Sequence, residues 1–259
     1  ILPLSMIHTV CPVTSNLQVG PEIYVLKFHS PEIASAVQPG QFVNVKVNDA
    51  FVPLLRRPFS VYYVEKKEVA IIFNVAGTGT KILSEKKAGE TVDIIGPLGC
   101  AFRLDERYET ALLVAGGMGV APFPFMTSKL QSLSKSIVTL LGARSKDFII
   151  PAFLKNISIA TDNGSIGFHG TVVDLLREGL SKHDYVKPKI FACGPNPMLR
   201  NVCNVAEEFH LPCELSLESV MGCGIGICQG CPVERRDGEK KYALVCKEGP
   251  VFDYTSIRV

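Results

Sequence analysis

The chain has 259 residues, of which 47% are hydrophobic and 20% charged, and a formal net charge of +2. This composition is typical of a globular protein with room for two modest domains and an appendage, and it excludes disorder and collagen-like repetition. A basic stripe is absent, which excludes nucleic-acid binding, and the apolar segment 111–126 is too short and too rich in glycine and proline to span a membrane. The start of the sequence shows no secretory signal, so we expect a cytoplasmic location.

The first part of the chain, residues 1–107, contains short apolar stretches separated by glycine and proline. Phe42 and Asn44 alternate with Val43, Val45 and Val47, which predicts a half-buried strand. Several such stretches with little helical periodicity predict an antiparallel β-barrel or β-sandwich.

The pattern of apolar residues changes over residues 108–215. The apolar runs "TALLVAGG", "SIVTLLGA", "NISIAT" and "KIFACGP" alternate with segments of helical spacing such as "TVVDLLREGL". Strands that alternate with helices predict a Rossmann-like domain with a mostly parallel sheet. Such a sheet binds ligands outside the carboxyl ends of its strands.

The tail, residues 216–259, holds four of the nine cysteines. Cys223, Cys228 and Cys231 have the spacing C-x4-C-x2-C, and Cys246 follows at a distance. This is the order of plant-type iron–sulfur loops, whereas structural zinc sites usually show two CxxC pairs. The spacing predicts a small 2Fe-2S domain, with a zinc-stapled binding module as the alternative. We expect the scattered cysteines to be buried structural residues, namely Cys11, Cys100, Cys203 and Cys213.

Several other motifs are each ambiguous alone. Glycines at 116, 117 and 119 stand between a strand and a helix, where amides can receive a phosphate, although close packing also requires glycine there. The pair Arg56 and Arg57 suits phosphate binding, or forms a solvated barrel rim. "FNVAGTGT" is a second candidate phosphate turn, or an ordinary hairpin turn.

The order of these motifs resembles the ferredoxin-reductase superfamily. The resemblance implies an FAD-binding β-barrel followed by an NAD-binding α/β domain. It implies FAD contacts at Arg57, Pro58, Phe59, Ser60, Ile72, Phe73, Asn74, Gly79 and Thr80. It implies nicotinamide-nucleotide contacts at Gly116, Gly117, Gly119, Cys193 and Gly194. Ser60 and Cys193 are then the catalytic residues beside the reacting rings.

The cysteine loop after the nucleotide domain narrows the resemblance to the electron-transfer subunits of dihydroorotate dehydrogenase B. It implies that Cys223, Cys228, Cys231 and Cys246 hold the cluster. It also implies a partner, an FMN-containing dihydroorotate dehydrogenase catalytic subunit, in a heterotetramer with two copies of each chain, in pyrimidine biosynthesis.

The alternative within the superfamily is a subunit of an NAD(P)H:ferredoxin or sulfur oxidoreductase. The nucleotide is expected to be NAD, but NADP stays open because Arg144 and Lys146 stand where a 2′-phosphate would be held. No acidic residue for the ribose hydroxyls is evident beside them.

Overall fold

The first part of the chain folds into a closed antiparallel barrel. The computed structural model describes residues 6–236, 238 and 240–259. The barrel strands follow the order β1-β2-β5-β4-β3-β6 around the barrel, and two short helices lie between them. These elements are β1 (Ile7–Gly20), β2 (Ile23–His29), α1 (Pro31–Ala36), β3 (Phe42–Lys46), β4 (Arg57–Glu65), β5 (Glu68–Asn74), α2 (Thr78–Ser84) and β6 (Thr91–Leu98).

Strand β3 of the barrel is in contact with the two following parts of the chain. Val43 and Val45 point into the barrel core, as their alternation predicts. Phe42 and Asn44 are also buried, at 3% and 1% exposure. The prediction of a half-buried strand is therefore wrong for β3. Its outer face is covered because Phe42 packs into the core of the following domain and Asn44 contacts the cysteine loop.

The second part of the chain forms a sheet of seven strands in the order β10-β9-β8-β7-β11-β12-β15. All neighbouring pairs are parallel except β12 with β15, which are antiparallel. The strands are β7 (Thr110–Gly116), β8 (Ser136–Ala143), β9 (Ile157–Thr161), β10 (Phe168–His169), β11 (Pro188–Cys193), β12 (Cys213–Ser216) and, from the tail, β15 (Val251–Asp253).

The strand order creates a binding crevice. From β7 the chain passes outward through β8 and β9 and then returns to place β11 on the other side of β7. This reversal is the topological switch point at which open α/β sheets bind their ligands. The helices that pack on the sheet are α3 (Phe123–Ser132), α4 (Val172–Lys182) and α5 (Asn196–Glu208).

The tail combines a loop with short strands. A small antiparallel sheet has the order β14-β13-β16. Its strands are β13 (Pro232–Arg235), β14 (Tyr242–Leu244) and β16 (Ile257–Arg258). Cys231 and Cys246 are buried in the same apolar cluster as residues of β7, β11 and α5, so the tail shares the core of the nucleotide domain.

The predicted fold class, an antiparallel barrel followed by a parallel α/β domain and a cysteine-loop tail, is confirmed. One prediction about the cysteines is wrong. Cys100 is exposed; it lies in the connection after β6, where its backbone makes an isolated bridge to Pro250. Among the described residues, no helix is both long and apolar enough to cross a membrane.

Candidate active site

A cleft of about 280 Å³, open to solvent, lies where the barrel, the nucleotide sheet and the tail meet. Seven predicted site residues line it: Pro58, Phe59, Ser60, Ile72, Phe73, Asn74 and Cys193. The sequence reasoning missed nine others: Phe42, Met118, Ala121, Ser216, Leu217, Glu218, Ser219, Met221 and Pro250. The cleft thus has walls from all three parts of the chain.

The barrel wall of the cleft is largely apolar and aromatic. It consists of the start of β4 and the end of β5, two strands that pair with each other. The rings of Phe59 and Phe73 lie 5.5 Å apart at an interplanar angle of 50°. Ser60 adds a hydroxyl to this wall. An apolar wall with a few polar groups suits a flat heteroaromatic ring such as a flavin.

The two adjacent arginines have different surroundings. Arg56 donates hydrogen bonds to the Asp93 carboxylate and carbonyl, each at 2.9 Å, so it ties the barrel together. Arg57 lies against Gly79, where a Cβ atom would come within 3.0 Å of Arg57 Nε. The absence of a side chain at Gly79 therefore leaves room for the Arg57 guanidinium at the start of α2. Arg57 Nη1 donates to the Leu55 carbonyl at 2.6 Å, and Arg57 makes no ion pair within the described residues.

The turn before α2 is already internally bonded. The Thr80 hydroxyl oxygen accepts hydrogen bonds from the amides of Ala76 and Gly77, at 2.8 and 3.2 Å. Thr80 and Gly79 belong to the first turn of a short helix rather than to a hairpin. The Thr80 side chain thus shapes the turn next to Arg57.

Two ionisable groups stand in the cleft opposite the barrel wall. Burial raises the pKa of the Cys193 thiol to about 12, and the Glu218 carboxylate adds to this increase. Cys193 is therefore a neutral thiol at physiological pH. Glu218 is accessible from the cleft, yet the surrounding protein desolvates its carboxyl group and raises its pKa. The signal in the sequence for Glu218 was its place just after β12, at the carboxyl edge of the sheet.

The glycines after β7 and β11 pack against each other at the switch point. A Cβ atom on Gly119 would overlap the Cys193 carbonyl and lie 2.6 Å from the Gly194 nitrogen. A Cβ atom on Gly194 would lie 3.1 Å from the Gly116 nitrogen. Close packing thus requires these glycines, whereas Gly117, at φ +55°, faces open space.

As predicted, Gly116, Gly117 and Gly119 stand where a strand gives way to a helix. The helix that follows β7 directly is a 3-10 helix, Gly117–Val120, and α3 begins only at Phe123. Pro122, the N-cap of α3, contributes no amide N–H. The open space at Gly117 is therefore the part of this turn that a nucleotide can approach.

The four cysteines of the tail form two pairs. Cys223 hydrogen bonds with Cys228, and Cys246 with Cys231. Within the described part of the chain, no group of three or more His, Cys, Asp or Glu side chains is arranged to hold a single metal ion. Two pairs of thiols fit a two-iron cluster, in which each iron takes two cysteines, better than one zinc ion.

Backbone amides surround the sulfur atoms of the loop. The Gly226 amide donates to Cys246 Sγ at 3.1 Å, and the Cys228 amide donates to Cys223 Sγ at 3.4 Å. Burial alone would raise the pKa of Cys223, but hydrogen bonds from the Cys228 and Ile225 amides outweigh it and lower this pKa to about 6. Donors aimed at sulfur stabilise thiolates, the form that binds iron.

The fold and the site define an oxidoreductase of the ferredoxin-reductase type. The solved structure of an NADH-dependent reduced ferredoxin-NADP oxidoreductase superposes on this chain with a TM-score of 0.85 and 28% sequence identity. The match covers 96% of this chain and 90% of that protein's chain. A ferredoxin NADP+ reductase from Neisseria gonorrhoeae shares the fold over 78% of this chain and 91% of its own, with a TM-score of 0.66 and 14% identity.

Comparison with the sequences of known proteins identifies the family within this class of oxidoreductases. Residues 218–258 match the iron-sulfur cluster binding domain of dihydroorotate dehydrogenase B. The dihydroorotate dehydrogenase B (NAD(+)) electron transfer subunit of Desulforamulus reducens is 38% identical over 90% of this chain and 92% of its own. The corresponding subunit of Fusobacterium nucleatum is 33% identical over 96% of this chain and 98% of its own. The chain belongs to the family of dihydroorotate dehydrogenase B electron transfer subunits. The predicted cofactors, a 2Fe-2S cluster, FAD and a nicotinamide nucleotide, agree with this family and fold.

Proposed function

We propose that the chain carries electrons between NAD and an FMN-containing dihydroorotate dehydrogenase catalytic subunit, in pyrimidine biosynthesis. The observation that supports this most is the cleft, which joins the barrel wall at Phe59 and Ser60, Cys193 of the nucleotide sheet and the segment 216–221 that leads into the cysteine loop. When bound, FAD and the cluster supply the conversion of a two-electron hydride into single electrons.

The residues of the chain have distinct roles in this proposal. The barrel wall and Ser60 hold the flavin ring, and Arg57, supported by Gly79 and Thr80, neutralises its diphosphate. The neutral Cys193 thiol and Ser60 flank the reacting rings. Gly116, Gly117, Gly119 and Gly194 let the nucleotide approach the sheet edge. Four thiolates hold the cluster: Cys223, Cys228, Cys231 and Cys246.

We assign NAD as the nucleotide because an acidic residue lies near Arg144 in the fold. Asp162 follows β9, and its amide donates to the Ala143 carbonyl at 3.0 Å, next to Arg144 on the neighbouring strand. Its carboxylate can accept hydrogen bonds from ribose hydroxyls and repels a 2′-phosphate. Asp162 stands in the glycine-rich segment "ATDNGSIGFHG" directly after β9, at the carboxyl edge of the sheet where a nucleotide is expected to bind.

The partner is expected at the cysteine loop. Val220 and Ile227 are large apolar residues of this loop with exposures of 88% and 75%, and Cys228 is also exposed. An iron–sulfur cluster close to the surface exchanges electrons with a protein that covers it. The complex is expected to hold two copies of each chain and to be cytoplasmic.

The decisive experiment purifies this chain alone, the catalytic subunit alone and the two together, each loaded with its cofactors. We expect NAD-dependent dihydroorotate oxidation only in the mixture, together with a stable complex of two copies of each chain by light scattering. Substantial dihydroorotate oxidation by NAD with this chain alone, or no gain on mixing, would contradict the proposal.

A second candidate is electron transfer between NADPH and ferredoxin. The similarity to the ferredoxin-NADP oxidoreductase structure and the exposed side chains of Arg144 and Lys146 favour it. Steady-state flavin reduction with NADH and with NADPH separates the two functions. A strong preference for NADPH would support this second candidate.

A further inference from the structure

Asn44 connects the barrel to the cysteine loop across 179 residues of sequence. It lies on β3, is 1% exposed, and donates a hydrogen bond of 2.9 Å from Nδ2 to the Cys223 carbonyl. The loop that includes Cys223 runs between β12 and β13 without helix or strand of its own. The side-chain bond from Asn44 therefore ties this loop directly to a strand of the barrel.

The same residue adjoins the cleft. Phe42, two positions earlier on β3, points to the same side of the strand and lines the cleft. Pro58, which pairs with Asn44 across β3 and β4, also lines it. Asn44 thus stands between two residues that line the cleft, Phe42 and Pro58, and a residue of the cysteine loop.

The contact between β3 and the loop is close on both sides. Gly224, the residue after Cys223, has a φ of +70°, and a Cβ atom there would lie 2.5 Å from Asn44 Nδ2. On the barrel side, Arg56 donates to the Asn44 carbonyl at 3.5 Å and to the Asp93 carbonyl at 2.9 Å, which ties β3 to β6. Only glycine lets the loop come this near to the amide.

The side-chain amide of Asn44 reduces the stability of the fold, and the need to fill space does not explain why it is present. Asn44 Oδ1 is buried and meets no hydrogen-bond donor among the described residues. A buried polar atom without a partner destabilises the fold, and an apolar side chain of the same size would avoid this. Local rules are broken in this way mainly where a residue has a functional role.

We propose that Asn44 is a positioning residue for electron transfer, which fixes the Cys223 loop against the barrel and so sets the separation and orientation of cluster and flavin. The proposal rests on the proposed function in that both cofactors occupy their sites. Groups that orient metal ligands from behind affect activity by about 10- to 100-fold when they are removed. Electron transfer falls steeply with distance, so a looser loop slows it.

The test compares Asn44→Leu with Thr139→Val in the full chain loaded with FAD and cluster. Thr139 on β8 is 0% exposed and donates to the Lys155 carbonyl at 2.8 Å, so its variant also loses one buried hydrogen bond, at a position outside the cleft and the cysteine loop. After rapid anaerobic mixing with NADH, we expect Asn44→Leu to reduce its flavin at the wild-type rate and its cluster about tenfold more slowly. We expect its cluster to show a changed electron paramagnetic resonance line shape, and Thr139→Val to match the wild type in both respects.

A second measurement does not need the cofactors. In the iron-free chain, deuterium uptake by peptides that cover residues 220–230 should be faster in Asn44→Leu than in the wild type or Thr139→Val. Gly224→Ala, which pushes the loop away from the other side, should have the same effect. It replaces Asn44→Leu if that variant does not fold.

The inference would be overturned if Asn44→Leu matched the wild type in its rate of cluster reduction, in the line shape of its cluster spectrum and in deuterium uptake by the loop. The proposed function would then remain intact. A wild-type chain that binds no cluster would instead refute the proposed function, while the exchange measurement would still decide whether Asn44 holds the loop.

Discussion

The carboxyl group of Glu218 is placed to sense pH in the cleft shared with Ser60 and Cys193. Desolvation raises its pKa above the ordinary value of 4.5, so the neutral form persists to higher pH than in an exposed glutamate. In the proposed function a hydride brings a pair of electrons into the cleft. A neutral Glu218 would permit this transfer, whereas its carboxylate would oppose it electrostatically.

This argument predicts the pH dependence of flavin reduction by NADH. In the wild type, the rate should fall as pH rises through the raised pKa, by about fivefold for a penalty of ~1 kcal/mol. In Glu218→Gln, which cannot ionise, this decrease should disappear and the rate should stay at the low-pH value. Stopped-flow measurements across the pH range check this, and an unchanged decrease in Glu218→Gln would contradict it.

Gly119 is required by packing rather than by backbone conformation. A methyl group there would meet the Cys193 backbone, whereas at Gly117 it would meet nothing within 4 Å and only the φ of +55° opposes it. We expect Gly119→Ala to lower the free energy of unfolding by about 3 kcal/mol and to weaken NAD binding. Gly117→Ala should lower it by about 1 kcal/mol. Chemical denaturation and NAD titration measure both, and equal losses would show that the two loops do not pack as described.

At the scale of elements, an ion-pair network around the buried Glu214 joins three strands to Arg103, whose side chain is half-exposed, in the segment after the barrel. Glu214 of β12 is 1% exposed and accepts hydrogen bonds from the Arg103 amide, at 3.0 Å, and from the Arg103 side chain. Lys189 of β11 lies 3.5 Å from Glu214, and Asp253 of β15 lies 3.3 Å from Arg103. The network thus holds the tail strand β15 to the sheet.

Removing Arg103 leaves the buried Glu214 carboxylate underpaired. We expect Arg103→Met to lower the free energy of unfolding by about 3 kcal/mol. The matched control is Arg177→Met, which breaks a surface pair with Glu208 at 3.1 Å and should lower it by less than about 1 kcal/mol. Urea denaturation measures the free energy of unfolding of the two variants. Similar losses in both would show that the Arg103–Glu214 pair contributes no more than a surface pair.

The sequence predicted what depends on local periodicity and spacing. The run "TALLVAGG" and the helical spacing of "TVVDLLREGL" gave β7 and α4, because each pattern repeats within a few residues. The bond from Asn44 to Cys223 and the pairing of β12 with β15 were not predictable, since both join segments far apart in the chain. For the same reason Glu218 was missed in the cleft, whereas Ser60 and Cys193 stand in recognisable motifs.

At the scale of the whole molecule, the three parts meet around one cleft, and in the proposed function electrons would leave on the side of the cysteine loop. Cys231 and Cys246 are 2% and 3% exposed, while Cys228 is exposed. The loop therefore has an inner pair of sulfurs anchored in the shared core and an exposed outer edge, on which the proposed partner would dock. Apolar residues on that edge should contribute to binding through burial rather than to folding.

Ile227 provides the test of this arrangement, because it is 75% exposed in the loop between Cys223 and Cys228. Ile227→Asp should weaken binding of the dihydroorotate dehydrogenase catalytic subunit by at least about tenfold, because burying an unpaired charge in the contact is unfavourable. Flavin reduction by NADH within the isolated chain should not change, since Ile227 does not line the cleft. Val186→Asp, at a residue 58% exposed before β11, is the control and should bind normally. Calorimetric titration measures both affinities, and if Ile227→Asp bound as tightly as the control, the partner would have to dock on another face of the molecule.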